Sequence, residues 1–350
     1  VILLATRQVQ DEEQDMNSYE RYMAVVRGEE ADFLPRLPIL MQYAAEFIGS
    51  NYGAFASDYR VLVEANLQCA AHFGFDQVSA ISDPYRETQG FGAEIEFIRD
   101  GVPRCAKPPL ETDRDLANLA EPDPHSSERM LDRVRAVESF QSAVGGTSSI
   151  LGWIEGPAAE AADLRGVTNF LMDTLMEPDY AGELMARCVD VGIDFARAQV
   201  EAGADTIGVG DAIASQVSPD VYEAMILPHE RRLFQGIRDA GGLVRLHICG
   251  NITHLLPYLG DLAVDIVDVD WMVDMAAARA ALPDTVLVAN LDPVNAVMKS
   301  TPEAIQAGLC GIYDVVGNPL MAGAGCEIPS GTREALLKAL CEPVPWRKTQ

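Results

Sequence analysis

Eight short apolar, β-branched runs start near residues 36, 77, 149, 204, 243, 265, 285 and 319, with helical patterns filling the intervals between them. Parallel strands need a long crossover, most often a helix, so regular alternation of this kind predicts an α/β fold. Eight interleaved units predict a single closed (β/α)8 TIM barrel rather than an open sheet. A chain of 350 residues suits one such barrel. The expected boundaries are a polar lead-in over 1–17 with an acidic cluster at Asp11–Asp15, the barrel over 18–342, and a tail over 343–350. An N-terminal helical extension opens at Asn17 or Ser18, either of which suits an N-cap, and runs to about Arg27. Long helices are expected over Asp58–Phe73 and Pro219–Asp239. The stretch 88–128 is the least regular, with an extra strand at Glu94–Phe97 and His125 in a solvated excursion.

Charge and cysteine usage narrow the class. With 26 Lys and Arg against 53 Asp and Glu, the net charge is −27. Such a surface repels nucleic acid and anionic membranes at long range. It disfavours polyanionic substrates unless a local basic pocket compensates. No apolar run approaches the eighteen or so residues of a membrane span. The opening Val1–Ala5 is too short for a signal sequence, so the expectation is a cytoplasmic protein. The seven cysteines (69, 105, 188, 249, 310, 326 and 341) lack framework spacing, which fits reduced thiols.

In barrels of this architecture the site lies at the C-terminal mouth, fed by residues at several strand ends. Asp83, Glu155, Asp211, His247, Cys249, Asp270, Asn290, Asp292 and Cys326 all occupy such ends. In Leu243–Thr253, His247 and Cys249 are two apart on a strand and so point to the same side. One nitrogen and one sulfur begin a zinc site, and Cys326, after Met321-Ala-Gly-Ala-Gly, is the candidate third ligand. A lone His or Cys on an apolar strand is more often core; two such strand ends together favour a metal. Asp292 before Pro293 reads equally as a helix cap, and Asp211 as an acceptor for loop amides.

His247-Ile-Cys249 followed by Cys326 resembles the His-x-Cys…Cys zinc motif of cobamide-dependent methyltransferases. That group comprises methylcobamide:coenzyme M and corrinoid O-demethylation methyltransferases of the uroporphyrinogen decarboxylase superfamily. Asn290-Leu-Asp-Pro293, Ser82-Asp-Pro84 and Gly325-Cys-Glu-Ile-Pro329 are similar to superfamily signatures, and the likeness covers about 18–342. It implies a (β/α)8 barrel, Zn2+ on His247, Cys249 and Cys326, and a corrinoid (cobalamin) as methyl carrier. No Asp-x-His-x-x-Gly corrinoid motif occurs in the sequence, so a separate corrinoid protein is the expected partner. The other partner is a small-molecule methyl donor or acceptor, such as a thiol or a methoxylated compound.

The remaining assignments come from the residues themselves. Glu155 is a candidate fourth ligand, or an acceptor for His247, and Asp83 a candidate for orienting substrate. Asn290 is a candidate for orienting substrate or meeting the cofactor, and Tyr85, with Trp271, for the cofactor and pocket wall; packing roles stay open for each. Two other functions remain in view. One is a uroporphyrinogen decarboxylase-type lyase; the other is a zinc-binding barrel without turnover. Against the lyase, the Arg-Gln-Ala-Gly-Arg motif of the decarboxylase proper is replaced here by Arg36-Leu-Pro-Ile-Leu-Met-Gln42. Its single arginine, at the strand's start, is expected away from the mouth, whereas an octa-anionic porphyrinogen needs several guanidinium groups.

Overall fold

The computed structural model describes residues 16–262 and 264–348. The acidic cluster at 11–15 lies outside them. Nine strands are present among the described residues: β1 (Gln77–Ser79), β2 (Glu94–Glu96), β3 (Arg104–Lys107), β4 (Ser149–Glu155), β5 (Thr206–Gly210), β6 (Leu243–His247), β7 (Ile266–Asp268), β8 (Val286–Val288) and β9 (Leu320–Met321). Seven of them form one parallel sheet in the order β1-β4-β5-β6-β7-β8-β9, and β2 and β3 pair separately as an antiparallel hairpin. The longer strands are buried at nearly every position, because helices cover one face and the curled interior the other.

Seven of the eight expected strands are therefore ladder strands, and the one expected at 34–41 is not. Pro35 and Pro38 have no N–H to donate, so this segment cannot sustain a ladder. It forms only an isolated parallel bridge, Arg36 with Ala322. Its backbone nevertheless reaches both edges of the sheet. Leu37 N–H donates to the Ala322 carbonyl at 2.8 Å, and Asp76 N–H donates to the Arg36 carbonyl at 2.9 Å.

Helix ends follow local chemistry. The helix Ser18–Val26 starts from a capping box of Asn17 and Glu20. Helices Tyr59–Phe73 and Pro178–Ala202 both stop at a left-handed glycine, Gly74 and Gly203. The helix expected over Pro219–Asp239 is interrupted by a π turn at Tyr222–Ile226, just before Leu227–Asp239. Pro228 explains the interruption: it offers no N–H to the preceding turn and its ring crowds the carbonyl there. Among the described residues, no helix is long and apolar enough to cross a membrane.

The first helix plugs one end of the sheet. Tyr22 and Val25 pack with Leu37, Ile266, Val286, Val288 and Met321 on the inner face. The Tyr22 hydroxyl shares a 2.8 Å hydrogen bond with Thr206 Oγ1. Beside it, the fully buried Asp76 binds Arg21 Nη1 at 2.7 Å and Arg36 Nε at 2.8 Å, and also accepts the Arg36 backbone N–H. This carboxylate ties the first helix, the 35–37 segment and β1 together. Its removal would leave Arg36 without its carboxylate partner and Arg21 with Asp32 alone. Asp76→Ala is expected to lower the unfolding free energy by about 3–5 kcal/mol, read from urea denaturation; a loss below about 1 kcal/mol would mean that the arginines find other partners.

Candidate metal centre and its cavity

β6 ends at His247, whose register partners are Gly210 on β5 and Asp268 on β7. Asp268 thus lies beside the imidazole and accepts its Nδ1–H at 2.9 Å. Nε2 is left facing Cys249 Sγ at 3.0 Å and Cys326 Sγ at 4.0 Å, and the two sulfurs are 3.7 Å apart. The three donor atoms all lie within 4.8 Å of one another. With zinc–sulfur bonds of about 2.3 Å and zinc–nitrogen bonds of about 2.0–2.1 Å, tetrahedral ligation needs sulfurs about 3.8 Å apart and nitrogen–sulfur separations of about 3.6 Å. The sulfur pair matches, and the two nitrogen–sulfur distances straddle the ideal. The donor set fits the ion.

Two glycines present the cysteines. Gly250, at φ +94°, turns the chain directly after Cys249 in a conformation that disfavours other residues. Its N–H is held by Asp270 Oδ2 at 3.0 Å, while Asp270 Oδ1 accepts from Met272 N–H. Gly325 packs so closely on the Asp270–Trp271 backbone that a Cβ would lie 2.5 Å from Trp271 N, and Cys326 follows it. Burial alone would lower the His247 pKa, yet hydrogen bonds with Asp268 and Cys326 hold it up at about 10. The Cys326 thiol is drawn down to about 4, chiefly by its hydrogen bond from Cys249 and then by His247, against the effect of burial. Cys249 is pushed up by its hydrogen bond with Cys326 and by burial. The cluster already favours an anionic sulfur, the form in which cysteine binds metal.

The triad opens on a cavity of about 180 Å³ that is also lined by Met41, Ile81, Asp83, Trp153, Glu155 and Glu327. Trp153 reaches this position because its register partner on β5 is Gly208. A Cβ at Gly208 would sit 2.2 Å from the indole. The indole Nε1–H donates to Glu155 Oε1 at 3.2 Å, and Arg86 Nη2 donates to the same oxygen at 2.6 Å. Burial raises the Glu155 carboxyl well above its ordinary value; Arg86 opposes this and Glu87 reinforces it. Asp83 behaves in the opposite way. Burial would raise it, but a bidentate pair with Arg129 at 2.7 and 2.6 Å holds it below the usual carboxylate range.

The proposed ligands His247, Cys249 and Cys326 therefore converge, and Glu155 and Asp83 share their cavity. The acceptor on His247 is Asp268, whereas Glu155 binds Arg86 and Trp153. Asn290 lies off the cavity wall and donates its amide hydrogens to the carbonyls of Asp270 and Val273 at 3.2 and 2.9 Å. Tyr85 is also off the wall, with its backbone N–H on Asp83 Oδ1. Trp271 and His125 are exposed. Asp292 accepts from Val294 and Asn295 N–H as a helix cap, and the buried Asp211 accepts from Ala158 and Ala159 N–H.

Sequence reasoning missed Asp268, Trp153, Glu327 and Arg86. Asp268 was within reach, since it precedes Asp270 by two and so shares its face of the strand. The Gly208-x-Gly210 pair was the signal that a large neighbour occupies the interior.

A curled parallel sheet with a nitrogen and two sulfurs converging at its strand ends defines a TIM-barrel-like α/β protein with a candidate transition-metal centre. The sequence model of the uroporphyrinogen decarboxylase (URO-D) family matches residues 17–345, and the chain belongs to that family. It is 28% identical over 331 residues to the methylcobamide:CoM methyltransferase MtbA of Methanosarcina mazei, covering 92% of this chain and 96% of the relative. It is 31% identical over 276 residues to a uroporphyrinogen decarboxylase of Gloeobacter violaceus, covering 74% and 78%. A solved methyltransferase structure from Methanosarcina mazei superposes with a TM-score of 0.85 at 22% identity, covering 93% of this chain and 97% of that one, a likeness of fold.

Behind Glu155 lie further carboxylates. Glu87 Oε1 accepts the Glu155 N–H at 2.9 Å, and Glu160 Oε2 accepts from the Thr88 hydroxyl at 3.1 Å. Asp163, partly buried, is pushed up to about 8 by burial and then by the charge on Glu87. Because its folded pKa exceeds the unfolded value of about 3.9, the native state favours the protonated acid. Its stabilising effect is complete below about pH 4 and is lost as pH rises through about 8. Asp163→Asn is expected to flatten the fall of the urea midpoint between about pH 5 and 8; a slope parallel to that of the unsubstituted protein would contradict this.

Proposed function

We propose that this protein is a zinc-dependent methyltransferase, built on a (β/α)8 barrel that the 35–39 segment completes. The reaction moves a methyl group between a corrinoid, carried by a separate corrinoid protein, and a small thiol or methoxylated compound. The observation that carries the reading is the convergence of His247 Nε2, Cys249 Sγ and Cys326 Sγ at near-tetrahedral spacing beside a cavity. The similarity to a methylcobamide:CoM methyltransferase over 96% of that relative supports the corrinoid part.

Bound by two thiolates and an imidazole, zinc would keep a fourth position in which a substrate thiol loses its proton or an ether oxygen is polarised. The rest falls to side chains. Asp268 fixes the imidazole so that Nε2, not Nδ1, faces the sulfurs. Glu155 Oε1 is engaged by Arg86 and Trp153, which leaves Oε2 to hold a proton within the cavity. In demethylation that proton goes to the departing alkoxide; in thiol alkylation Oε2 receives the proton of the thiol. Asp83, clamped by Arg129, forms a fixed polar wall that orients the substrate. Asn290 pins the loop that carries Trp271, and Tyr85 braces Asp83 through its backbone.

The decarboxylase reading draws on relatives such as the Gloeobacter violaceus enzyme. A porphyrinogen with eight carboxylates would meet a cavity of about 180 Å³ that, among the described residues, has no arginine or lysine on its wall. The purified protein is expected to hold about one zinc per chain by elemental analysis. It should also transfer methyl from methylcobalamin to a small thiol, followed by the corrinoid spectrum. Cys249→Ser should lose most zinc and nearly all transfer while keeping its circular dichroism. Unchanged zinc in that variant would remove the ligand set; zinc without transfer would leave a binding barrel, and porphyrinogen turnover without zinc would favour the lyase.

A further inference from the structure

The charges around the cavity are lopsided. Among the described residues, its wall carries three acidic side chains, Asp83 paired with Arg129, Glu155 paired with Arg86, and Glu327, and neither lysine nor arginine. Arg129, Arg86 and Arg245 just behind the wall are each paired with a carboxylate, although among the described residues the Nε atoms of Arg86 and Arg129 have no hydrogen-bond partner. Both Arg129 Nη atoms bind Asp83. Arg86 binds Glu155 and the Asp83 carbonyl, and its Nε lies 3.5 Å from Glu87. Arg245 binds Asp268 and Gln77. Glu327 takes the Gln42 N–H at 2.9 Å and, among the described residues, forms no ion pair. The remaining cationic group, His247, is matched by Asp268, and zinc with two thiolates would be neutral overall.

Beside Glu155 the cavity is lined by the indole of Trp153. The Trp153 indole is locked by its hydrogen bond to Glu155 and by the close fit against Gly208 and Gly210. An aromatic ring beside carboxylates is the combination that attracts alkylammonium groups. The volume of about 180 Å³, smaller than the roughly 300–1,000 Å³ typical of drug-sized ligand sites, suits a small headgroup.

We infer that the substrate of this cavity is a small, non-anionic molecule, with an alkylammonium headgroup as its best electrostatic match. The inference rests on the cavity being the substrate site of the proposed methyl transfer. It excludes thiols or methyl ethers whose other end is a carboxylate, sulfonate or phosphate, since among the described residues no arginine or lysine lines the cavity to meet that end. Electrostatic selection of this kind acts against wrong partners as much as for right ones.

Two thiol-reactive probes test this without relying on turnover. Trimethylammonioethyl and sulfonatoethyl methanethiosulfonate differ only in headgroup charge. Each transfers its alkylthio group to a cysteine thiolate, forming a disulfide and releasing methanesulfinate. Their rates at Cys326 and Cys249 would be mapped by mass spectrometry at pH 8, on the full chain as purified and after chelation, and normalised to 2-mercaptoethanol. The cationic probe is expected to win by at least about tenfold, and Glu327→Gln to reduce that preference by about threefold. Equal rates, a faster sulfonate, a preference untouched by Glu327→Gln, or protection of both cysteines from both probes would overturn the inference. Absent methyl transfer with the probe preference intact would instead remove the methyltransferase reading and leave the selection of charge standing.

Discussion

A single file of buried hydrogen bonds crosses the interior of the sheet and ends at the imidazole that faces the two cysteines. Ser149 Oγ accepts from Gln77 Nε2 at 3.0 Å, and Gln77 Oε1 accepts from Arg245 Nη1 at 2.5 Å. Arg245 Nε then meets Asp268 Oδ1 at 2.8 Å, and Asp268 Oδ2 takes the His247 Nδ1–H at 2.9 Å. All five side chains are buried. Such a chain is costly unless each member is satisfied, because a stranded charge in a low-dielectric interior has no water to fall back on. Satisfied, it sets the registers of β1, β4, β6 and β7 against one another. It also gives the imidazole one orientation, which decides where a cation would sit.

The cavity above this file owes its shape to small residues as much as to large ones. Gly208 and Gly210 leave the space that the Trp153 indole fills, and the indole then fixes Glu155. Gly325 lets the Cys326 segment lie on the Asp270–Trp271 backbone. Packing at near-crystalline density makes these clearances specific, since neighbours have little freedom to yield. The result is a small compartment with thiols at one wall, an indole at another and carboxylates between.

Membership of the uroporphyrinogen decarboxylase family leaves more than one chemistry open, because function resides in sites grafted on folds. In this chain, arginine near the start of the 34–41 segment serves architecture. Arg36 is held by Asp76 at the end of the sheet plugged by the first helix, and its Nη1 donates to the Cys341 carbonyl. The arginines nearest the cavity are clamped behind its wall by acidic partners. What the cavity offers instead is sulfur, imidazole and carboxylate, a set suited to a cation and to a proton rather than to polyanion binding.

The amino-acid sequence by itself determined the alternation of strands and helices, the helix caps, and the identity of the three metal-type donors. Each follows from local rules: period along a strand, capping chemistry, and side chains two apart sharing a face. Only the tertiary structure decided that 34–41 bridges two edges without forming a ladder, that Asp268 rather than Glu155 meets His247, and that Asn290 holds a loop away from the cavity. Those outcomes depend on register between strands far apart in the chain and on which side chain crosses a shared interior. Spacing along one strand carries no record of either, because the energy that selects them arises between elements that meet only once the fold is complete.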